Sequence, residues 1–372
     1  MDRYRKLNVL MGNRKVGTLA ETPDHLAAFE YDGEWLADGF SISPLSLPLE
    51  KKVFIPKEYA TFEGLFGVFA DSLPDGWGRL LVDRQLAKEH IRPESVNALT
   101  RLAIVGEMGM GALAYQPEEH LETEGAQLSL DQIALECKKI LESQQVEHLD
   151  TVFRMGASSG GARPKVFCEM DGEQWIVKFP SSMDGPDIGE QEYRYSLCAK
   201  KCGIDMPETR LIPSKINSGY FAVKRFDREG DRRVHMVSAG GLLETSHRIP
   251  NLDYMILMRL TMKLTEDYGE IEKLYRRMAF NVYSHNRDDH SKNFSYLCDA
   301  GKWCLSPAYD LTYSSSIGGE HATTINGNGR DPGLEDLLAV ADNIKLDKRK
   351  AKRIAGEVRE IVREELGSYL RK

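Results

Sequence analysis

Three oxygen-bearing side chains at fixed spacing restrict this chain more than any other feature. In Asn286-Arg287-Asp288-Asp289-His290-Ser291-Lys292-Asn293, Asp288 stands five residues before Asn293, and Asp310, in Tyr309-Asp310-Leu311, follows seventeen residues later. A carboxylate can accept the proton of an attacking hydroxyl. An amide oxygen and a second carboxylate are the hard ligands that Mg²⁺ prefers. Taken singly, each residue has a plainer role. Asp288-Asp289 suits a solvated turn, Asn293 a turn cap and Asp310 a helix cap. Order and spacing together favour one base and two metal ligands.

That order is the grammar of a kinase catalytic loop and its metal-binding Asp, which predicts transfer of the γ-phosphate of ATP with Mg²⁺. Asp310 is followed by Leu311-Thr312, so the D-F-G triplet is absent. The two adjacent acids separate on spacing. Asp288 is the expected base, and Asp289 has no assigned role.

Other parts of the chain suit the same chemistry. Lys178 ends the apolar run Ile176-Val177-Lys178, where a strand lysine can reach the α- and β-phosphates. Its expected partner is a Glu on the next helix, Glu190 or Glu192. Gly156-Ala157-Ser158-Ser159-Gly160-Gly161-Ala162 precedes two predicted strands and can cradle phosphates with its N–H groups. It is neither G-x-G-x-x-G nor a Walker A sequence. His290 can touch a phosphate, orient Asp288, or bond to backbone. The basic run from Lys345 to Arg353 suits a solvated helix face, with an acidic partner or DNA as its other use.

The chain has 372 residues, 41% of them hydrophobic and 28% charged, enough for two or three subdomains of an ordinary globular protein. The net charge of −8 argues against broad DNA binding by this chain alone. The charged start, Met1 to Lys6, is followed by no apolar signal region, and no run is long enough to span a membrane. The six cysteines are scattered without C-x-x-C or zinc spacing, so a reduced cytoplasmic setting is expected.

Residues 1 to about 115 form a first predicted unit, with hairpins over Val9–Gly17 and Ala27–Trp35 and a helix from Trp77 to Leu86. An acidic linker occupies 116 to 130. Ser129 is the predicted cap of a helix reaching about Gln144. Strands follow at 165–170, 174–179 and 220–226, with a helix from Glu190 to Lys201 between the last two. From about 235 the chain is mostly helical.

In this order the pieces resemble the HipA family of bacterial Ser/Thr kinases, the toxins of HipA/HipB toxin–antitoxin pairs, over most of the chain. The motifs are Phe69-Ala70-Asp71-Ser72-Leu73-Pro74-Asp75-Gly76-Trp77-Gly78-Arg79, Ser158 to Lys165, Val177-Lys178-Phe179, Arg225-Phe226-Asp227-Arg228, Asp288 to Phe294 and Tyr309-Asp310. The resemblance implies an α+β, two-lobed, kinase-like fold. Its parts would be a β-rich N-terminal subdomain (1–115), the remainder of the N-lobe (116–230) and a helical C-lobe (231–372). It implies Asp288 as the catalytic residue and Asn293 and Asp310 as Mg²⁺ ligands. ATP would meet Ser159, Gly160, Gly161, Ala162, Arg163, Pro164 and Lys165 of the phosphate loop, and Lys178. It would also meet Lys224, Arg225 and Phe226 of the hinge, and His290, Ser291, Lys292, Asn293, Tyr309 and Asp310. Ser158, or its neighbour Ser159, would be the autophosphorylated residue whose modification ejects the loop. A HipB-like DNA-binding antitoxin is the implied partner, and an aminoacyl-tRNA synthetase one candidate target.

Three other readings compete. A small-molecule kinase shares the same grammar, because a catalytic loop does not name its acceptor. A catalytically silent corepressor would have lost one of Lys178, Asp288, Asn293 or Asp310. A metal hydrolase on His285, Asp288, Asp289 and His290 would need further ligands.

Overall fold

The computed structural model describes residues 4–121, 123–315 and 317–370; Met1 to Arg3 of the charged N-terminal stretch lie outside them. The fold is α+β, in two compact units. The first comprises residues 1–190, 210–237 and 241–244, and the second 191–209, 238–240 and 245–372.

Alternating apolar residues build the first sheet. β1 (Lys6–Met11), β2 (Arg14–Glu21), β3 (Ala27–Tyr31), β4 (Val53–Phe54) and β5 (Leu113–Gln116) lie antiparallel in the order β4-β3-β2-β1-β5. Leu7, Val9, Val16, Leu19 and Phe29 are buried. The hairpin expected over Ala27–Trp35 is replaced by β3 and a helix, α1 (Gly33–Asp38). Asp32 accepts a hydrogen bond from the Glu34 N–H at 3.0 Å, so the Asp32-Gly33 pair caps a helix rather than turning a strand.

One buried group makes this unit sensitive to acid. The His235 ring is buried and donates from Nε2 to the Ile42 carbonyl at 2.8 Å. Burial pushes its pKa down to about 4, against an ordinary value of 6.5. The unfolded chain takes up a proton that the folded chain resists. The stability is therefore fully present above pH 6.5 and lost as pH falls through about 4, by roughly 3 kcal/mol. Urea unfolding at pH 7 and pH 4.5 should show this loss, and His235→Gln should flatten it. Equal slopes in the two proteins would remove His235 from the account.

The second sheet carries Lys165 and Lys178. β6 (Lys165–Met170), β7 (Glu173–Lys178), β8 (Thr209–Ile212) and β9 (Tyr220–Lys224) lie in the order β6-β7-β9-β8. β7 is an interior strand, so Lys178 does not sit on the sheet edge. Val166, Trp175, Val177, Tyr220 and Ala222 share a core with Trp77, Leu81 and Leu86 of α2 (Gly76–Lys88). The same core takes Ile133 of α3 (Leu130–Leu141) and Val152 and Phe153 of α4 (Leu149–Gly156). Ser129 caps α3 in a reciprocal box with Gln132, and the helix stops at Leu141 rather than Gln144.

The second unit is mainly helical. It holds most of α5 (Ile188–Lys201), then α6 (Tyr254–Thr265), α7 (Tyr268–Ser284), α8 (Leu334–Asn343) and α9 (Lys348–Leu366). Tyr195 of α5 donates to the Ser284 carbonyl at 2.9 Å and meets the Phe280 ring edge-on. Residues 191–209 group with the second unit through this packing. Residues 231–237 and 241–244 group with the first unit. A hairpin, β11 (Ser295–Asp299) and β12 (Lys302–Leu305), follows the loop at Asp288. β10 (Leu252–Asp253) and β13 (Thr323–Thr324) form a short parallel pair. On α9, Ala351, Ile354, Val358, Val362 and Leu366 face inward, which leaves Lys348, Arg349, Lys352 and Arg353 on the solvated side. Among the described residues, no helix is long and apolar enough to cross a membrane.

Candidate active site

The first unit brings two lysines and the glycine-rich loop together. Lys165 and Lys178 are direct partners in the antiparallel ladder of β6 and β7. Direct partners project from the same face, so both lysine side chains leave the sheet on one side. The Lys178 Nζ lies 5.4 Å from the Phe221 ring centroid, and the buried Lys165 donates from Nζ to the Gly160 carbonyl at 2.6 Å. The loop between α4 and β6 thus folds back over the lysine that ends it. Gly160, Gly161 and Ala162 are exposed, whereas Pro164 is buried. Arg163 is spent on Asp184, in two hydrogen bonds of 3.1 and 3.0 Å.

The two serines of the loop face inward. Ser158 is 7% exposed and donates to the Met108 carbonyl at 3.0 Å. Ser159 is 1% exposed and donates to Gly156 at 2.6 Å, closing the end of α4. Neither hydroxyl can receive a phosphoryl group in this position.

The segment 224–226, expected as the hinge, is tied down by its side chains. Lys224 pairs with Glu173 at 2.7 Å. Arg225 is buried, stacks on Phe167 and donates to Asp227 at 3.0 and 2.8 Å and to the Gly109 carbonyl at 3.3 Å. Burial opposes ionisation of Asp227, but Arg225 and Arg228 more than offset it and hold its carboxyl below the usual range. The Arg225 side chain is therefore a structural pin, and its N–H is used by the Gln174 carbonyl at 2.8 Å.

In the second unit the adjacent acids part company. Asp288 keeps 61% of its side chain exposed, while Asp289 is 1% exposed. Asp289 accepts from Tyr254 (3.0 Å), His321 Nδ1 (2.9 Å) and the Thr323 N–H (3.2 Å), and its carbonyl accepts from the Thr323 hydroxyl (2.6 Å). Asn281 supports Tyr254 at 2.9 Å. The carboxylate that the hydrolase reading needs as a ligand is consumed here. Among the described residues, no group of three or more His, Cys, Asp or Glu side chains is placed to hold a metal. Asp289 ties the loop to α6, α7 and β13, and so sets where Asp288 stands. No local pattern in an Asp-Asp pair could have revealed that role.

Asn293 donates from Nδ2 to the Asp288 carbonyl at 2.6 Å, which leaves its Oδ1 as the atom to offer a cation. His290 caps the short 3₁₀ turn Ser291–Asn293. Its Nδ1 accepts from the Lys292 N–H at 3.2 Å. The neutral ring must then carry its proton on Nε2, which faces Asp288 Oδ1 at 3.9 Å, beyond hydrogen-bond reach. Tyr309 donates to the Lys292 carbonyl at 2.6 Å and meets Ser295 at 2.6 Å, so it braces the loop. Ser291 is buried beside Gly240. Asp310 is left-handed (φ 52°), a conformation that Asp tolerates, and residues 311–315 directly after it are not helical, so it does not cap a helix there. On α5, Glu192 is buried and Glu190 half-buried. Just before the loop, burial and the nearby Arg287 charge hold His285 below its ordinary pKa.

Comparison with known proteins agrees with this layout. The family model of the HipA-like C-terminal domain matches residues 157–366, and that of the HipA N-terminal domain matches 7–116. A protein of Sinorhizobium fredii named "Putative kinase Y4mE" is 26% identical over 350 residues, covering 82% of this chain and 77% of the relative. Among solved structures, the HipA of Shewanella oneidensis, in its complex with HipB and operator DNA, superposes with a TM-score of 0.74. It is 17% identical, with 98% of this chain and 91% of that chain covered.

Proposed function

We propose, from the premise that this chain belongs to the HipA family of kinases, that it transfers the γ-phosphate of ATP to a Ser or Thr hydroxyl of a protein. The observation that carries this reading is the cross-strand lysine pair beneath the glycine-rich loop. A triphosphate is an anion that two lysines on one face, beside a loop of exposed N–H groups, are suited to hold. Lys178 and Lys165 would neutralise phosphate oxygens, while the N–H groups of Gly160 to Ala162 cradle them. Asp288, solvated and held by its anchored neighbour, would accept the proton of the attacking hydroxyl. Asn293 Oδ1 and Asp310 are donors of the right type to hold Mg²⁺, which would neutralise the charge on the phosphates.

The protein would also modify itself on Ser158. A phosphoserine adds nearly two negative charges where ATP phosphates must sit, and repulsion then disfavours the docked loop. The Shewanella complex supports a HipB-like DNA-binding protein as the partner of this chain. With a net charge of −8, DNA contact is best made through that partner. An aminoacyl-tRNA synthetase is one candidate substrate.

Intact-mass measurement after incubation with ATP and Mg²⁺ tests the reading, with nucleotide binding followed by calorimetry. The expected result is tight binding and a gain of one phosphate that maps to Ser158. Absence of both binding and gain would overturn the proposal. Binding without gain, on this chain and on added protein substrates, would point to a small-molecule acceptor instead.

A further inference from the structure

The N-terminal motif Leu73-Pro74-Asp75-Gly76-Trp77-Gly78 has no part in the chemistry above, yet it lies against the phosphate loop. The contact is reciprocal. Gly161 donates its N–H to the Asp75 carboxylate, and the Gly161 carbonyl accepts from the Trp77 N–H at 2.9 Å. Asp75 is the N-cap residue of α2 but gives its side chain to no N–H of its own helix. The loop therefore caps the helix, and the helix cap holds the loop. Trp77, fully buried, adds a second point. Its indole N–H donates to the Lys165 carbonyl at 3.1 Å, where the loop enters β6.

Two glycines make this approach possible. A Cβ on Gly76, which is left-handed at φ +45°, would lie 2.5 Å from the Gly161 carbonyl oxygen. A Cβ on Gly78 would lie 2.7 Å from the Ala157 carbonyl oxygen and closer still to that of Ser159. These neighbours are backbone, so they cannot swing aside. Either side chain would exclude the docked loop.

We propose that the Asp75-to-Gly78 edge is a latch that holds the phosphate loop in place, and that Ser158 becomes accessible to modification only when this latch opens. Opening leaves no group of the helix stranded. Once Gly161 departs, the Asp75 carboxylate can turn to the N–H groups of Trp77 and Gly78, which is the ordinary duty of an N-cap. The Trp77 N–H thus has an acceptor in both states, the Gly161 carbonyl when the loop is docked and the Asp75 carboxylate when it is released. In the docked state the Ser158 hydroxyl is 7% exposed and bonded to Met108, so a phosphoryl group can arrive only after release. Asp75, Gly76 and Gly78 are positioning residues. They act on ATP only through the loop, and the proposal rests on reading 158–165 as a phosphate loop.

Hydrogen exchange of the loop amides, measured without nucleotide and beside ATP affinity, tests it in the full chain. Gly78→Ala should expose the loop while favouring the helix it sits in, because Ala is the better helix former. Asp75→Ala removes the charged acceptor without touching the core. Exchange at Gly161 and Trp77 should rise roughly tenfold in Asp75→Ala, as expected for the loss of one charge-assisted hydrogen bond. It should rise at least as much in Gly78→Ala, and ATP affinity should fall in both. Wild-type protection of the loop in both variants would overturn the latch. Faster exchange with unchanged ATP affinity would leave the latch standing and instead overturn the assignment of the loop to phosphate.

Discussion

Asp289→Ala is expected to cost the second unit about 3–5 kcal/mol and to remove phosphate transfer, although Asp289 is not the residue assigned to the chemistry. Its carboxylate is buried and accepts from Tyr254, His321 and the Thr323 N–H. Truncation leaves those donors inside the protein without an acceptor, and each such group costs about 1–3 kcal/mol, not fully additively. The urea midpoint of the variant should fall while the slope stays constant. Asp289→Asn should lose less, because an amide oxygen still accepts from two of the donors. A variant as stable as the wild type would show that the loop is not hung on Asp289.

Asp288→Ala should do the opposite. The side chain is largely solvated, so stability should change by no more than about 0.5 kcal/mol. Transfer to a protein hydroxyl should fall by about 10²- to 10⁴-fold, the usual worth of a general base. ATP binding should persist, since the phosphates are assigned to residues of the first unit. Single-turnover rates with stability and nucleotide affinity on the same samples decide the matter. Unimpaired transfer by Asp288→Ala would remove it as the base. Two neighbouring carboxylates thus carry contrasting expectations, one for folding and one for catalysis, and their burial is what divides them.

Much of this layout was legible in the chain. Alternation marked β1, β2, β6, β7 and β9, helical spacing marked α2, and Ser129 marked the start of α3. These signals are local, because side chains two or four residues apart share a face whatever the rest of the molecule does. The errors are also physical. Asp32-Gly33 can turn a hairpin or cap a helix, and only the capping bond to Glu34 decides between them. What Arg225 does with its side chain was not legible either, because a buried arginine cannot be told from an exposed one until Asp227 and the Gly109 carbonyl are in place.

The sequence by itself determined which residue types stand in which order: Lys178, Asp288, Asn293 and Asp310, proposed here for what their atoms can do with phosphate, a proton or Mg²⁺. Only the tertiary structure decided which neighbours serve them. Lys165 became the cross-strand companion of Lys178 through ladder register, Asp289 an anchor through burial, and Asp75 the holder of Gly161 across a long stretch of chain. Spacing encodes chemistry within one loop. Contacts between distant segments depend on how helices and sheets pack, and no window of sequence contains that information.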